Sequence, residues 1–281
     1  MRQALYMRPT QLNDALAVLV DRQWSVLAGG TDFYPMRLGK PLDENVLDIS
    51  AINDARAIVR EDDHWRIPML ATWSDLVANE DLPTEFDGLK QAAREVGGAQ
   101  IQNVATICGN LCNASPAADG VPNLLALDAL VELRSVRGRR LVAVADFITG
   151  NRRTVRSSDE LVTALIIPHT GRQTRSVFLK LGARKYLVIS IVMIGAVLEL
   201  DADRRIAAAR LAIGACGPVA KRLPELEQDL LGRELGRELA DLVAERHLAP
   251  LNPIDDVRGT AAYRLDAALT LLRRTLAELS R

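Results

Sequence analysis

Residues 106–119, TICGNLCNASPAAD, place Thr106, Asn110, Asn113, Ser115 and Asp119 within 14 positions. Hydroxyl, amide and carboxylate groups at that density can hydrogen-bond a polar ligand, and Gly109 lets the backbone come close to it. A solvated loop explains the polar residues but not the apolar ones interleaved with them, so the segment reads as a binding loop on a rigid scaffold. A second candidate is Ala28-Gly29-Gly30-Thr31-Asp32, directly after a short apolar run. Adjacent glycines admit positive φ, and successive amide N–H groups then form a nest for phosphate oxygens, to which Thr31 adds a hydroxyl. A plain strand-to-helix turn uses the same pair. The segment is not the three-glycine dinucleotide fingerprint, because the third glycine and the acidic partner are out of register.

Cys108 and Cys112 stand four apart and invite a metal or iron–sulfur reading. Zinc sites and clusters typically use four ligands. Only Cys216 remains, and His64, His169 and His247 lie outside the loop, so the thiols read as buried or loop-lining. Lys180, in FLKLGARKYL with Arg184 and Lys185, sits between apolar neighbours, where a cation can reach an anionic ring or phosphate; a solvated strand edge is the alternative. No G-x-S-x-G, H-E-x-x-H or Walker motif occurs.

The scaffold that must position these segments is a packed one. Its 281 residues carry 35 Lys and Arg against 36 Asp and Glu, a net charge of −1, with 48% hydrophobic residues. That balance argues against disorder and against a nucleic-acid or anionic-membrane surface. The longest apolar run, YLVISIVMIGAVLEL over 186–200, is shorter than the roughly 20 residues of a spanning helix and rich in β-branched residues, so it reads as buried strand. An odd count of three cysteines and an N-terminus without a long apolar stretch point to a cytoplasmic protein with no membrane insertion.

Hydrophobic spacing predicts a helix from residue 12 capped by Thr10, then strands over 24–27 and 45–49 in a β-α-β unit. A hairpin over 57–60 and 65–70 surrounds the acidic turn Glu61, Asp62, Asp63, and helices follow over 72–79 and 86–96. Residues 97–122 show no period and are too long for a plain connector. A helix over 123–130, a hairpin over 130–134 and 140–144, and a strand over 161–167 ended by Pro168 come next. Beyond a polar connector the spacing predicts strands over 177–181, 187–200 and 206–213, then helices over 225–231, 235–247 and 260–279. The fold class is therefore α+β, with a C-terminal domain beginning near residue 172.

Together these segments resemble the FAD-binding (medium) subunit of the molybdenum hydroxylases, the xanthine dehydrogenase and carbon monoxide dehydrogenase type. The resemblance runs from PTQLNDALAVL through LAGGTDFYP, TICGNLCNASPAADGVPNLLALDA and LVTALIIP to FLKLGARKYLVISIVMIGAVLEL. It implies a two-subdomain FAD-binding fold of the PCMH/VAO type over 1–171, with subdomains of about 1–54 and 55–171. A C-terminal α+β domain of antiparallel strands and helices over 172–281 would close over the flavin. By the resemblance, Val26, Leu27, Ala28, Gly29, Gly30, Thr31, Asp32 and Phe33 wrap the FAD diphosphate. Thr106, Gly109, Asn110, Asn113 and Asp119 match the second FAD loop, Val162 a residue at the flavin ring, and Lys180 a basic residue near its reactive end. No His lies in either loop, so non-covalent FAD is expected.

The resemblance further implies two partners, a molybdenum-cofactor subunit and a small subunit with [2Fe-2S] clusters. Electrons would pass from those clusters to the flavin and on to NAD or another acceptor. No acid–base residue is expected, because the cofactor carries the chemistry. Cys108 stands where the family has the first of two glycines. Leu187 and Val188 stand where the xanthine dehydrogenase branch has acids, which changes the charge beside the flavin. A stand-alone flavin oxidoreductase of the same fold and a flavin-free scaffold are the rival readings. The first would show an acid or base at the flavin, and the second would not need both loops.

Overall fold

The computed structural model describes residues 4–39 and 41–281. At the N-terminal end, β1 (Tyr6–Met7), β2 (Ser25–Leu27) and β3 (Val46–Asp48) form a parallel sheet in the order β1-β3-β2, with α1 (Leu12–Val18) between the first two strands. Thr10 does not cap α1. Gln11 is the N-cap without a side-chain bond, and the Thr10 carbonyl accepts from the Asn53 N–H at 3.0 Å, which fixes it in the tertiary fold. The short helix expected between β2 and β3 is a single 3-10 turn, Pro35–Arg37.

The next part of the chain is built on an antiparallel five-stranded sheet in the order β4-β5-β10-β6-β7. Its strands are β4 (Val59–Arg60), β5 (His64–Pro68), β6 (Leu130–Ser135), β7 (Gly138–Ala143) and β10 (Leu161–Pro168). β10 is buried at every residue but Pro168, which is why LVTALII reads as a continuous run and not as an alternation. Around the sheet lie α2 (Trp73–Ala78), α3 (Asp87–Glu95), α4 (Ala99–Gln102), α5 (Ile107–Asn113), α6 (Gly120–Ala126) and α7 (Val144–Phe147). A small ribbon pairs β8 (Ile148–Gly150) with β9 (Arg153–Thr154). Residues 97–122, expected as irregular loop, are largely helical. Neither α4, α5 nor α6 exceeds 7 residues, too short for a helical period to declare itself.

The C-terminal part is an antiparallel meander of β11 (Gln173–Leu181), β12 (Val192–Leu200), β13 (Ile206–Gly214) and β14 (Lys221–Arg222), with α8 (Pro224–Leu230) and α9 (Ala261–Leu279). Its two faces are read off β12 with period two. Val192, Ile194, Ala196 and Leu198 join Ala268, Leu272 and Leu276 of α9 in the C-terminal core, whereas Val197 joins the core of the preceding part. Met193, on the same face as Val197, packs with Ala92 of α3 and Phe178 of β11. One face of the meander therefore covers α3 and α6, and the other carries α8 and α9.

Two expectations change here. β12 begins at Val192 and not near 187: residues 182–191 leave the sheet, with Leu187 at φ +52 and Tyr186, Leu187 and Ile189 exposed. The helix expected over 235–247 is two 3-10 turns, Arg237–Leu242 and Glu245–Leu248, because Val243 between them turns extended and buries its side chain in the C-terminal core. No helix among the described residues is long and apolar enough to cross a membrane.

Candidate cofactor site

The turn after β2 is set by contact with another loop. A Cβ at Gly29 would stand 1.9 Å from the Val104 carbonyl oxygen, and Gly30 holds φ +74. The glycine turn thus lies backbone to backbone on residues 104–105, which lead into α5. Thr106 caps that helix, its Oγ1 accepting from the Gly109 N–H at 3.0 Å. Beside it Thr72 caps α2 in a reciprocal arrangement with Asp75. The two helix starts are tied together by Trp73 N–H to Ala105 O at 3.2 Å and Ile107 N–H to Ala71 O at 3.1 Å.

This arrangement encloses a cavity of about 500 Å³, within the usual range for cofactor pockets. Val26, Ala28, Gly29, Gly30, Thr31, Asp32, Phe33, Thr106, Gly109, Asn110, Asn113 and Val162 line it. Leu27, Asp119 and Lys180 do not. Leu27 is buried, on the opposite side of the strand from its neighbours Val26 and Ala28. Lys180 Nζ donates to Asp119 Oδ2 at 2.7 Å, and Ser190 Oγ donates to Asp119 Oδ1 at 2.5 Å. Burial pushes the Asp119 carboxyl up, while Lys180 and Ser190 oppose that shift. These two expected ligands therefore tie the start of α6 to the C-terminal sheet. Every lining residue precedes β11, so the C-terminal part contributes none of the wall.

Trp24, Arg37, Trp73 and Arg156 also line the cavity, and sequence reasoning missed all four. None sits in a recognisable motif, and only the tertiary fold brings them to the loops. Arg156 donates to the carbonyls of Ser157 and Glu160, so no carboxylate among the described residues pairs with its charge. Cys108 is buried, and Cys112 is exposed on the cavity wall. Burial desolvates the Cys108 thiol and pushes it well up, so it is neutral near pH 7. Among the described residues no group of three or more His, Cys, Asp or Glu is placed to hold a metal ion.

The wall fits a large polar ligand. Among the described residues, five buried side-chain polar atoms have no hydrogen-bond partner, and three of them, Trp24 Nε1, Trp73 Nε1 and Asn110 Oδ1, belong to lining residues. Arg37 is paired with Glu44, but Arg156, which no carboxylate among the described residues pairs, puts a cation on the wall that suits a diphosphate.

Comparison with known proteins agrees with this geometry. The family described as FAD binding domain in molybdopterin dehydrogenase matches residues 2–170, and the CO dehydrogenase flavoprotein C-terminal domain matches residues 178–279. The nicotine 6-hydroxylase medium subunit of Paenarthrobacter nicotinovorans is 30% identical over 97% of this chain and 96% of its own length. The xanthine dehydrogenase FAD-binding subunit of Escherichia coli O157:H7 is 30% identical over 98% of this chain and 95% of its own. A chain of the reconstituted CO dehydrogenase from Oligotropha carboxidovorans superposes with a TM-score of 0.90 at 27% identity, covering 99% of this chain and 98% of that one. The chain thus belongs to the family of FAD-binding subunits of the molybdenum hydroxylases.

Proposed function

We propose that this chain is the FAD-carrying electron-transfer subunit of a multi-subunit molybdenum hydroxylase. It would take electrons from [2Fe-2S] clusters on a small partner subunit, filled from a molybdenum-cofactor subunit, and hand them to NAD or another acceptor. FAD, when bound, supplies the interconversion of one-electron and two-electron transfer. The observation that carries the reading is the cavity framed by the glycine turn and the α5 loop, with the Arg156 cation on its wall. Three free thiols suit a reducing compartment, which supports a place in the cytoplasm.

In this reading, residues 26–33 and Thr106, Gly109, Asn110 and Asn113 hold the cofactor. The amides of Gly29, Gly30 and Thr31 face the diphosphate, and Val162 excludes water at the flavin ring. Asp119 and Lys180 act indirectly, by fixing α6 against the C-terminal sheet. Domain limits of 1–171, divided near residue 54, and 172–281 suit the three main sheets.

The test is to purify the chain with its partners, denature it and identify the released nucleotide by chromatography. A yellow complex releasing about one intact FAD per chain is expected, as a non-covalent cofactor requires. A colourless chain that takes up no FAD overturns the reading. Anaerobic addition of NADH then checks the acceptor: bleaching supports NAD, and retained colour points to another acceptor.

A further inference from the structure

One strand at the cavity breaks the alternation of a pleated sheet. Along β10, Val162, Leu165 and Ile167 join one hydrophobic core, as does Leu161 at the strand's first position, whereas the buried Ala164 and Ile166 do not. The step from Ile167 to Leu165 is the two residues that a pleat requires, but the step from Leu165 to Val162 is three. The register against β6 accounts for it. Leu165 pairs with Val131 and Ala164 with Glu132, yet Val162 pairs with Leu133, which leaves Thr163 as an extra residue, a β-bulge. Directly paired residues share a face, and a one-residue slip exchanges the two faces. An unbroken ladder would therefore carry Val162 round to the face of Glu132. With the bulge it stands beside Leu133 and lines the cavity.

The extra residue is tied on both sides. The Thr163 carbonyl accepts from the Met69 N–H at 3.0 Å, and Met69 is itself a lining residue. The Thr163 hydroxyl donates to the Glu132 carboxylate, and both side chains are buried. Arg66 of β5 grips that carboxylate with two bonds, at 2.6 and 3.0 Å, and Arg139 of β7 adds a third contact. Paired in this two-pronged way, the acceptor has little freedom, and it offers the hydroxyl one fixed place. We propose that Thr163 is a positioning residue for the flavin: anchored to Glu132, it keeps the bulge that aims Val162 into the cavity. This rests on the FAD reading, in which Val162 stands at the flavin ring. An apolar residue in its place would leave Glu132 its arginines but release the bulge, and Val162 with it.

The test is titration of the flavin-depleted full chain with FAD, together with the visible spectrum of the bound flavin. In Thr163→Val, which keeps the shape and removes the hydroxyl, FAD affinity should fall about tenfold, and the flavin bands should shift as they do in Val162→Ala. Thr163→Ser, which keeps the hydroxyl, should restore the wild-type spectrum and bind FAD within about twofold of the wild type. In the double variant Val162→Ala/Thr163→Val the two losses should not add, because one residue acts through the other. If Thr163→Val does not fold, Thr163→Ala, with less apolar bulk beside the carboxylate, carries the same comparison. Wild-type affinity and spectrum without the hydroxyl, or losses that add in full, overturn the positioning role. A wild-type chain that takes up no FAD overturns the FAD reading instead.

Discussion

At Gly29 the constraint comes from the protein itself. The Val104 carbonyl occupies the space a side chain would need, so Gly29→Ala must push two loops apart. We expect it to lower the stability of the flavin-free chain by about 1–3 kcal/mol, the usual cost of overpacking, and to reduce FAD occupancy as a consequence. Urea unfolding of the flavin-depleted protein checks this; unchanged stability with lost FAD would show that the glycine serves the ligand directly. The glycine pair is legible in sequence as a turn with close approach. What it approaches is not, because Val104 lies in a different loop and no spacing rule links the two. Trp24 is illegible for a similar reason: a tryptophan before a strand looks the same whether it faces core or cavity.

Among elements, the five-stranded sheet carries a carboxylate in its interior. Glu132 on β6 is buried and meets Arg66 of β5, Arg139 of β7 and Thr163 of β10. Burial alone would raise its pKa, but the Arg66 hydrogen bonds, Thr163 and both guanidinium charges outweigh it and bring the value to about 2. Since the folded value lies below the ordinary 4.5, the stabilisation is complete above that pH and drains away as pH falls towards 2. The effect is of order 3 kcal/mol at neutral pH. Glu132→Gln should flatten the acid limb of the stability curve between about pH 5 and pH 2, read by denaturant unfolding at stepped pH. A limb as steep as that of the wild type would assign acid sensitivity to other carboxylates.

The strands of this sheet are readable from their apolar runs and turns, and α9 from its long period. The short helices α4 to α6 are not, since none is long enough to show a period and only α5 has a side-chain cap. Residues 187–191 imitate a strand because their apolar side chains suggest burial, although Leu187 and Ile189 face outward, as does Tyr186 before them.

For the molecule as a whole, the Asp119–Lys180 pair joins its two halves. With side chains only 9% and 6% exposed, it is a buried ion pair. Lys180→Met would strand the carboxylate and should cost about 3–5 kcal/mol, whereas the double variant Asp119→Asn/Lys180→Met should regain much of it. Equilibrium unfolding of both variants beside the wild type checks this; a single variant as stable as the wild type would remove the pair from the account of the seam. The sequence marks both residues as bearers of chemistry but not as partners. A contact across 61 positions leaves no local signature.

The cavity wall ends at Val162, although the chain continues for more than a hundred residues. During synthesis, every group that faces the cavity has therefore left the ribosome before the C-terminal meander exists. The C-terminal half, last to be made, covers α3 and α6 and supplies no lining residue to the cavity.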